Sequence, residues 1–141
     1  GSSLVNADAL QDPFFPLLTE VENSGQTCAI DPGSPADTYG TAVDMFASTA
    51  NISKWVTLSW EGDLPPSGEF VGEWQFQMLV DDVIKITDMF FRDDQVGINH
   101  NSDIRMSFPF TIPAGSKVSI KIKDENKTTG GVCLIMHLWG I

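Results

Sequence analysis

Basic side chains are scarce. The 141 residues hold 8 Lys and Arg against 19 Asp and Glu, a net charge of -11, and such a chain is repelled by a nucleic-acid backbone or an anionic membrane surface. No nucleic acid and no membrane are therefore expected among its partners. Cysteine is sparse too: Cys28 and Cys133 have no C-x-x-C spacing and no Cys/His cluster beside them, which excludes a disulfide scaffold. Both lie in apolar stretches and are expected as buried free thiols, with a single bridge left open if the first and last strands adjoin. No apolar run approaches the ~20 residues of a membrane-spanning helix. Between residues 42 and 141 no helical periodicity is long enough for a crossover helix, which excludes a doubly wound parallel fold. Without an internal repeat, solenoids and propellers are set aside.

Enzyme signatures are also missing. The chain has no G-x-S-x-G elbow, P-loop, H-E-x-x-H or dinucleotide fingerprint, so a non-enzymatic role, without cofactor or metal, is expected. His100 sits in a polar stretch. His137, inside the last apolar run, reads as a hydrogen-bonded core or interface residue, because a catalytic base also needs an orienting partner and a nucleophile.

What the chain does have suits one globular domain. A mass of 15.4 kDa with 42% hydrophobic and 19% charged residues is enough for a single core and too apolar for a disordered chain. Charge is unevenly spread: residues 1–53 carry seven acids and no base, -7, and residues 54–141 carry twelve acids and all eight bases, -4. The acidic third reads as solvated loops, with contact to the basic side of a neighbouring subunit as the alternative. The start, Gly1-Ser2-Ser3-Leu4-Val5, lacks the basic and apolar regions of a signal peptide and reads as a mature end or a cloning scar. Sequons at Asn51 and Asn126 are short enough to arise by chance.

Residues 1–41 read as an N-terminal arm and loop, and residues 42–141 as a β-sandwich domain. The arm holds four of the eight prolines and the breakers Asn23-Ser24-Gly25 and Asp31-Pro32-Gly33-Ser34-Pro35. Its apolar Phe14, Phe15, Leu17 and Leu18 must pack on the domain or on a neighbour, and are the expected assembly contacts. Strands follow in runs of period two. Trp55 to Trp60 is one, and its two tryptophans, five positions apart, project to opposite faces. Trp74 to Val80 is another, turning at Asp81-Asp82 into Val83 to Phe91. In the run Ile104, Met106, Phe108, Phe110 and Ile112 the intervening residues are polar, and Pro109, lacking an N–H, predicts an edge strand or a bulge. Pro113-Ala114-Gly115-Ser116 then turns the chain into Val118, Ile120 and Ile122, which predicts a hairpin-like pair with a lysine-bearing outer face. Val132 to Trp139, apolar almost throughout, predicts a central strand. With weaker strands near Thr27 to Ile30 and Ala42 to Ser48, the expected fold is all-β, an antiparallel two-sheet sandwich or jelly roll with an extended N-terminal arm.

Two clusters suggest ligand contacts. Asp93, Asp94, Asn101 and Asp103 could assemble oxygens for calcium, although their spacing is not that of an EF-hand and turn chemistry accounts for it. An enzyme built on Asp93, Asp94 and His100 is set aside, because proximity in sequence supplies neither pocket nor matched pKa values. The four tryptophans, Trp55, Trp60, Trp74 and Trp139, could offer aromatic faces to a sugar, Trp60 and Trp74 being the expected contacts, set against the usual fate of tryptophan as core.

Three segments resemble small tailed-phage virion proteins with β-sandwich folds: Ala50-Asn51-Ile52-Ser53-Lys54-Trp55-Val56-Thr57-Leu58, the run Phe108 to Ile120 with its Ile112-Pro113-Ala114-Gly115 turn, and Leu134 to Gly140. The likeness covers about residues 42 to 141, and the first forty residues depart from it. The resemblance implies a non-enzymatic virion structural protein: a capsid decoration protein, or a tail or fibre component. It would form a homo-oligomer, a trimer being favoured, and bind other virion proteins such as the major capsid protein. The alternative is a receptor- or glycan-binding module of a tail fibre or tip, with Trp60, Trp74 and the Asp93 to Asp103 loop as its contacts.

Overall fold

Alternation of apolar and polar residues puts one row of side chains on each side of a strand, and here it generates eight strands. The computed structural model describes residues 17–62, 70–94, 104–125 and 131–141. The strands are β1 (Thr19–Ile30), β2 (Val43–Phe46), β3 (Ser53–Gly62), β4 (Phe70–Val80), β5 (Val83–Asp94), β6 (Ile104–Ile112), β7 (Val118–Asp124) and β8 (Val132–Gly140), and no helix occurs among the described residues. They form two four-stranded sheets, ordered β1-β8-β3-β6 and β2-β7-β4-β5.

All ladders are antiparallel, and the first strand pairs with the last, the second with the seventh, the third with the sixth and the fourth with the fifth. That pairing is a single long hairpin rolled up on itself, with β3 and β8, and β4 and β7, joined as the roll closes. It is the eight-stranded jelly roll, the more specific of the two expected architectures.

Among the described residues one tight hairpin joins β4 to β5. Asp81 and Asp82 both take positive φ, 49° and 65°, the conformation of a two-residue turn whose twist matches the strands. Lys117 secures it: its backbone N–H donates to Asp81 at 2.9 Å and its ammonium meets Asp82 at 2.9 Å.

The core lies between the sheets. Trp60 from β3 crosses to meet Phe76 at 5.3 Å and Phe90 at 4.7 Å between ring centroids, and Trp74 stacks on Phe90 at 6.3 Å. Around these rings pack Val56, Leu58, Leu134, Met136 and Leu138 from the first sheet and Met78, Ile120 and Ile122 from the second.

Three expectations are corrected here. Val118 to Asp124 does not return beside Ile104 to Ile112. β6 is the edge of the first sheet and β7 lies inside the second, so the Pro113 to Ser116 turn carries the chain across the core. The lysines of β7 do stand on its outer side, opposite the buried Ile120 and Ile122, with Lys121 and Lys123 5.5 Å and 5.3 Å from the centre of the Tyr39 ring. The cysteines are bridged, Cys28 to Cys133, because β1 and β8 do adjoin. Finally, residues 19–30, assigned to the arm, are an edge strand of the sandwich. Asn23-Ser24-Gly25 is no loop but a bulge in β1, between the Asn23 and Gln26 pairings, with Gly25 at φ 69°, the left-handed conformation such bulges need.

Other expectations hold. β8 is central in its sheet, flanked by β1 and β3. Pro109 stands on an edge strand, two residues on from which β6 carries one residue more than β3 between the Trp55–Pro109 and Ser53–Ile112 pairs.

Candidate functional site

Trp60 and Trp74 cannot offer their faces to a sugar. Both are 0% exposed, because the inward positions of β3 and β4 are where large apolar area is removed from water. Asp93 and Asp94 stand at the end of β5, paired with Val71 and Phe70, whereas His100, Asn101 and Asp103 lie outside the described residues. Among the described residues no group of three or more His, Cys, Asp or Glu is placed to hold a metal ion. Of the arm contacts, Leu17 is 64% exposed and Leu18 half-buried just before β1; Phe14 and Phe15 lie outside the described residues.

The outward positions of the first sheet are a different matter. Registers of the adjoining strands align their side chains in rows across the sheet. One row is Glu20, Trp139, Trp55 and Pro109; the next is Asn23, His137, Thr57 and Ser107; a third is Gln26, Ile135, Ser59 and Arg105. Trp55, Trp139, Thr57, His137, Ser59 and Ile135 are half-buried, while the residues on the flanking strands β1 and β6 are exposed. The face is therefore a shallow trough with polar rims.

At the third row the trough deepens into a cleft of about 220 Å³, with Gln26, Ser59, Glu61, Arg105, Ile135 and His137 among its lining residues. The disulfide partner Cys133 borders it. Gln26 donates to Glu61 Oε2 at 3.2 Å, which holds that carboxylate in place and leaves its other oxygen as an acceptor. Arg105 makes no ion pair with any described residue. A larger depression of about 430 Å³ lies under the loop after β1, but Asp31 and Tyr39 are its only ionisable lining groups. Burial pushes the Tyr39 phenol above its ordinary pKa.

No protein-family model matches the chain, and no curated protein matches it in sequence. The geometry of the face has to speak for itself.

Its polar atoms are ordered by one another. His137 Nδ1 lies 2.7 Å from Glu20 Oε1, and Asn23 Nδ2 donates to the same oxygen at 3.0 Å. A carboxylate can only accept, so Nδ1 carries the hydrogen and the 3.3 Å approach of Asn23 Nδ2 to Nδ1 is a contact between two donors rather than a bond. The hydrogen bond from His137 holds the Glu20 carboxyl below its ordinary pKa. Trp139 Nε1 donates to Thr57 Oγ1 at 3.0 Å, and Thr57 and Ser107 share a hydrogen bond of 2.8 Å. Two hydroxyls joined by one bond retain one hydrogen between them for a further partner.

The arrangement sets donors and acceptors beside two aromatic side chains, which suits it to holding a polar ligand. Sequence reasoning missed Arg105 and Ser107 as site residues, and of the four tryptophans it singled out Trp60 and Trp74, the pair that is buried. The signal was there, because Trp55, Trp139, Arg105 and Ser107 all occupy the alternate positions opposite the apolar rows of β3, β8 and β6.

Proposed function

We propose that this chain is a non-enzymatic virion structural protein, most specifically a capsid decoration protein, that assembles through its N-terminal arm on neighbouring subunits or on a capsid lattice. The observation that carries this reading is the exit of the arm. Leu17 is 64% exposed at the point where the chain joins the sandwich, and from Thr19 to Ile30 the chain runs as β1. Leu17 thus leaves an apolar side chain in water at one end of an edge strand, the usual mark of a contact surface, and in the sequence it follows the apolar Phe14 and Phe15.

Two further points support it. The jelly roll is an architecture that viral capsid domains use, as lectin domains do, although a fold alone does not assign a function. The segments that resemble phage virion proteins fall on defined elements: the start of β3, the crossing from β6 to β7, and β8.

The test compares the full chain with one lacking residues 1–16, a cut that spares β1. The full chain should run as a discrete oligomer, a trimer, by light scattering. The truncated chain should be monomeric and melt in one cooperative transition at an unchanged temperature. A truncated chain that keeps its oligomer, or a full chain that is monomeric at every concentration, overturns the arm as the assembly contact.

A second reading, a binding module, is favoured by the trough on the first sheet.

A further inference from the structure

We infer that the outer face of the first sheet binds a neutral oligosaccharide, lying along β3 and β8 from the Trp55–Trp139 row to the cleft at Arg105. This inference does not rest on the virion reading, since the site is built wholly within the described sandwich.

The aromatic end comes first. Trp139 pairs with Trp55 and Trp55 with Pro109, so three flat apolar side chains stand on adjacent strands about 4.8 Å apart. An aromatic face is electron-rich, and the C–H bonds on one face of a pyranose ring present weak positive charge to it. The tryptophans are half-buried and Pro109 exposed, which fixes the platform while leaving it open to solvent.

Hydroxyl chemistry follows in the next row. The Thr57–Ser107 pair retains one hydrogen for a further partner, on whichever of the two hydroxyls accepts the bond between them. His137, oriented by Glu20 through Nδ1, keeps Nε2 as its other polar atom. In the cleft beyond, Arg105 supplies donors, and Glu61, with Oε2 engaged by Gln26, supplies an acceptor. A sugar hydroxyl is both donor and acceptor, and only a ligand rich in such groups satisfies both halves of this set.

Charge decides between sugar classes. Glu20 and Glu61 share the face with a single arginine, on a chain of net charge -11, so a polyanionic glycan is repelled. Length follows from the register. Trp55 and Ser59, which opposes Arg105, are four residues apart, about 13 Å along a strand, which is longer than one sugar ring.

The experiment screens the full chain on an array of neutral and acidic oligosaccharides. The strongest neutral ligand is then titrated calorimetrically against the wild type and the variants Trp55→Ala, Arg105→Ala and Met89→Ala. Met89 is 50% exposed on the second sheet, outside the trough, and serves as the control. Arg105 is exposed, so its variant should melt like the wild type and keeps the test free of folding effects. The expected result is a neutral ligand of at least two sugar units, bound at least tenfold more weakly by Trp55→Ala and Arg105→Ala and within twofold of wild type by Met89→Ala. An array without a neutral ligand, binding confined to sialylated or sulfated glycans, or unchanged affinity in Arg105→Ala overturns the proposal.

Discussion

Glu20 shows how a single residue ties two strands. It lies on the edge strand β1 and accepts hydrogen bonds from His137 on β8 and from Asn23 on its own strand. Because its pKa is lower folded than unfolded, it stabilises the protein above the ordinary glutamate value, and that stabilisation is lost as pH falls through the folded value. The melting temperature should therefore drop on acidification below the ordinary glutamate value, and Glu20→Gln should flatten part of that drop. Melting curves of both proteins at several pH values check it; parallel curves would show that the pair does not couple to folding.

The element that depends most on such ties is β1. Its ladder with β8 is interrupted at three places, by bulges after Glu20, Asn23 and Thr27, with Gly25 and Ala29 at positive φ. Ladder hydrogen bonds alone hold it weakly. The Cys28–Cys133 bridge fastens it covalently across a sequence separation of 105. Closing a loop of about a hundred residues restricts the unfolded chain by up to ~4.7 kcal/mol, and measured losses of native bridges run to about 2–5 kcal/mol. The double variant Cys28→Ser, Cys133→Ser should lose stability in that range by denaturant titration, with a reducing agent reproducing the effect in the wild type. Equal stability in both proteins would show that the bridge leaves the folding equilibrium untouched.

At the scale of the whole molecule, every sheet edge is blunted. β1 carries its bulges and β2 is only 4 residues long. β6 has Pro109 and an extra residue, and β5 has Lys85 unmatched between the Ile84 and Ile86 pairings. On β5 the carboxylate of Asp88 also takes the Met89 N–H at 2.8 Å, a donor that a strand of another chain would otherwise use. These are the devices by which β proteins avoid edge-to-edge pairing. Substituting Asp88→Thr together with Pro109→Thr should therefore create concentration-dependent association, seen as rising mass in light scattering. A double variant that scatters like the wild type up to millimolar concentration would show that the edges are closed by other means.

Much of this was legible in the sequence, and what was missed has a common cause. Alternation in β3, β6 and β8 marked the strands and their two faces, Asp81-Asp82 marked the hairpin, and Pro109 marked an edge, because a period of two and a missing N–H are properties of the chain itself. The alternation also placed Trp55 opposite to Trp60. It could not say which of the two faces inward, since that depends on where the second sheet lies. Nor could a turn at Pro113 to Ser116 reveal whether it joins neighbours in one sheet or crosses between two. The cysteine bridge, β1 as part of the sandwich, and the trough assembled from β1, β3, β6 and β8 rest on contacts between residues as much as 121 positions apart, such as Thr19 and Gly140. Local stereochemistry sets strands and turns, whereas the rolling of the chain, driven by burial of both sheets' apolar faces, decides which strands meet.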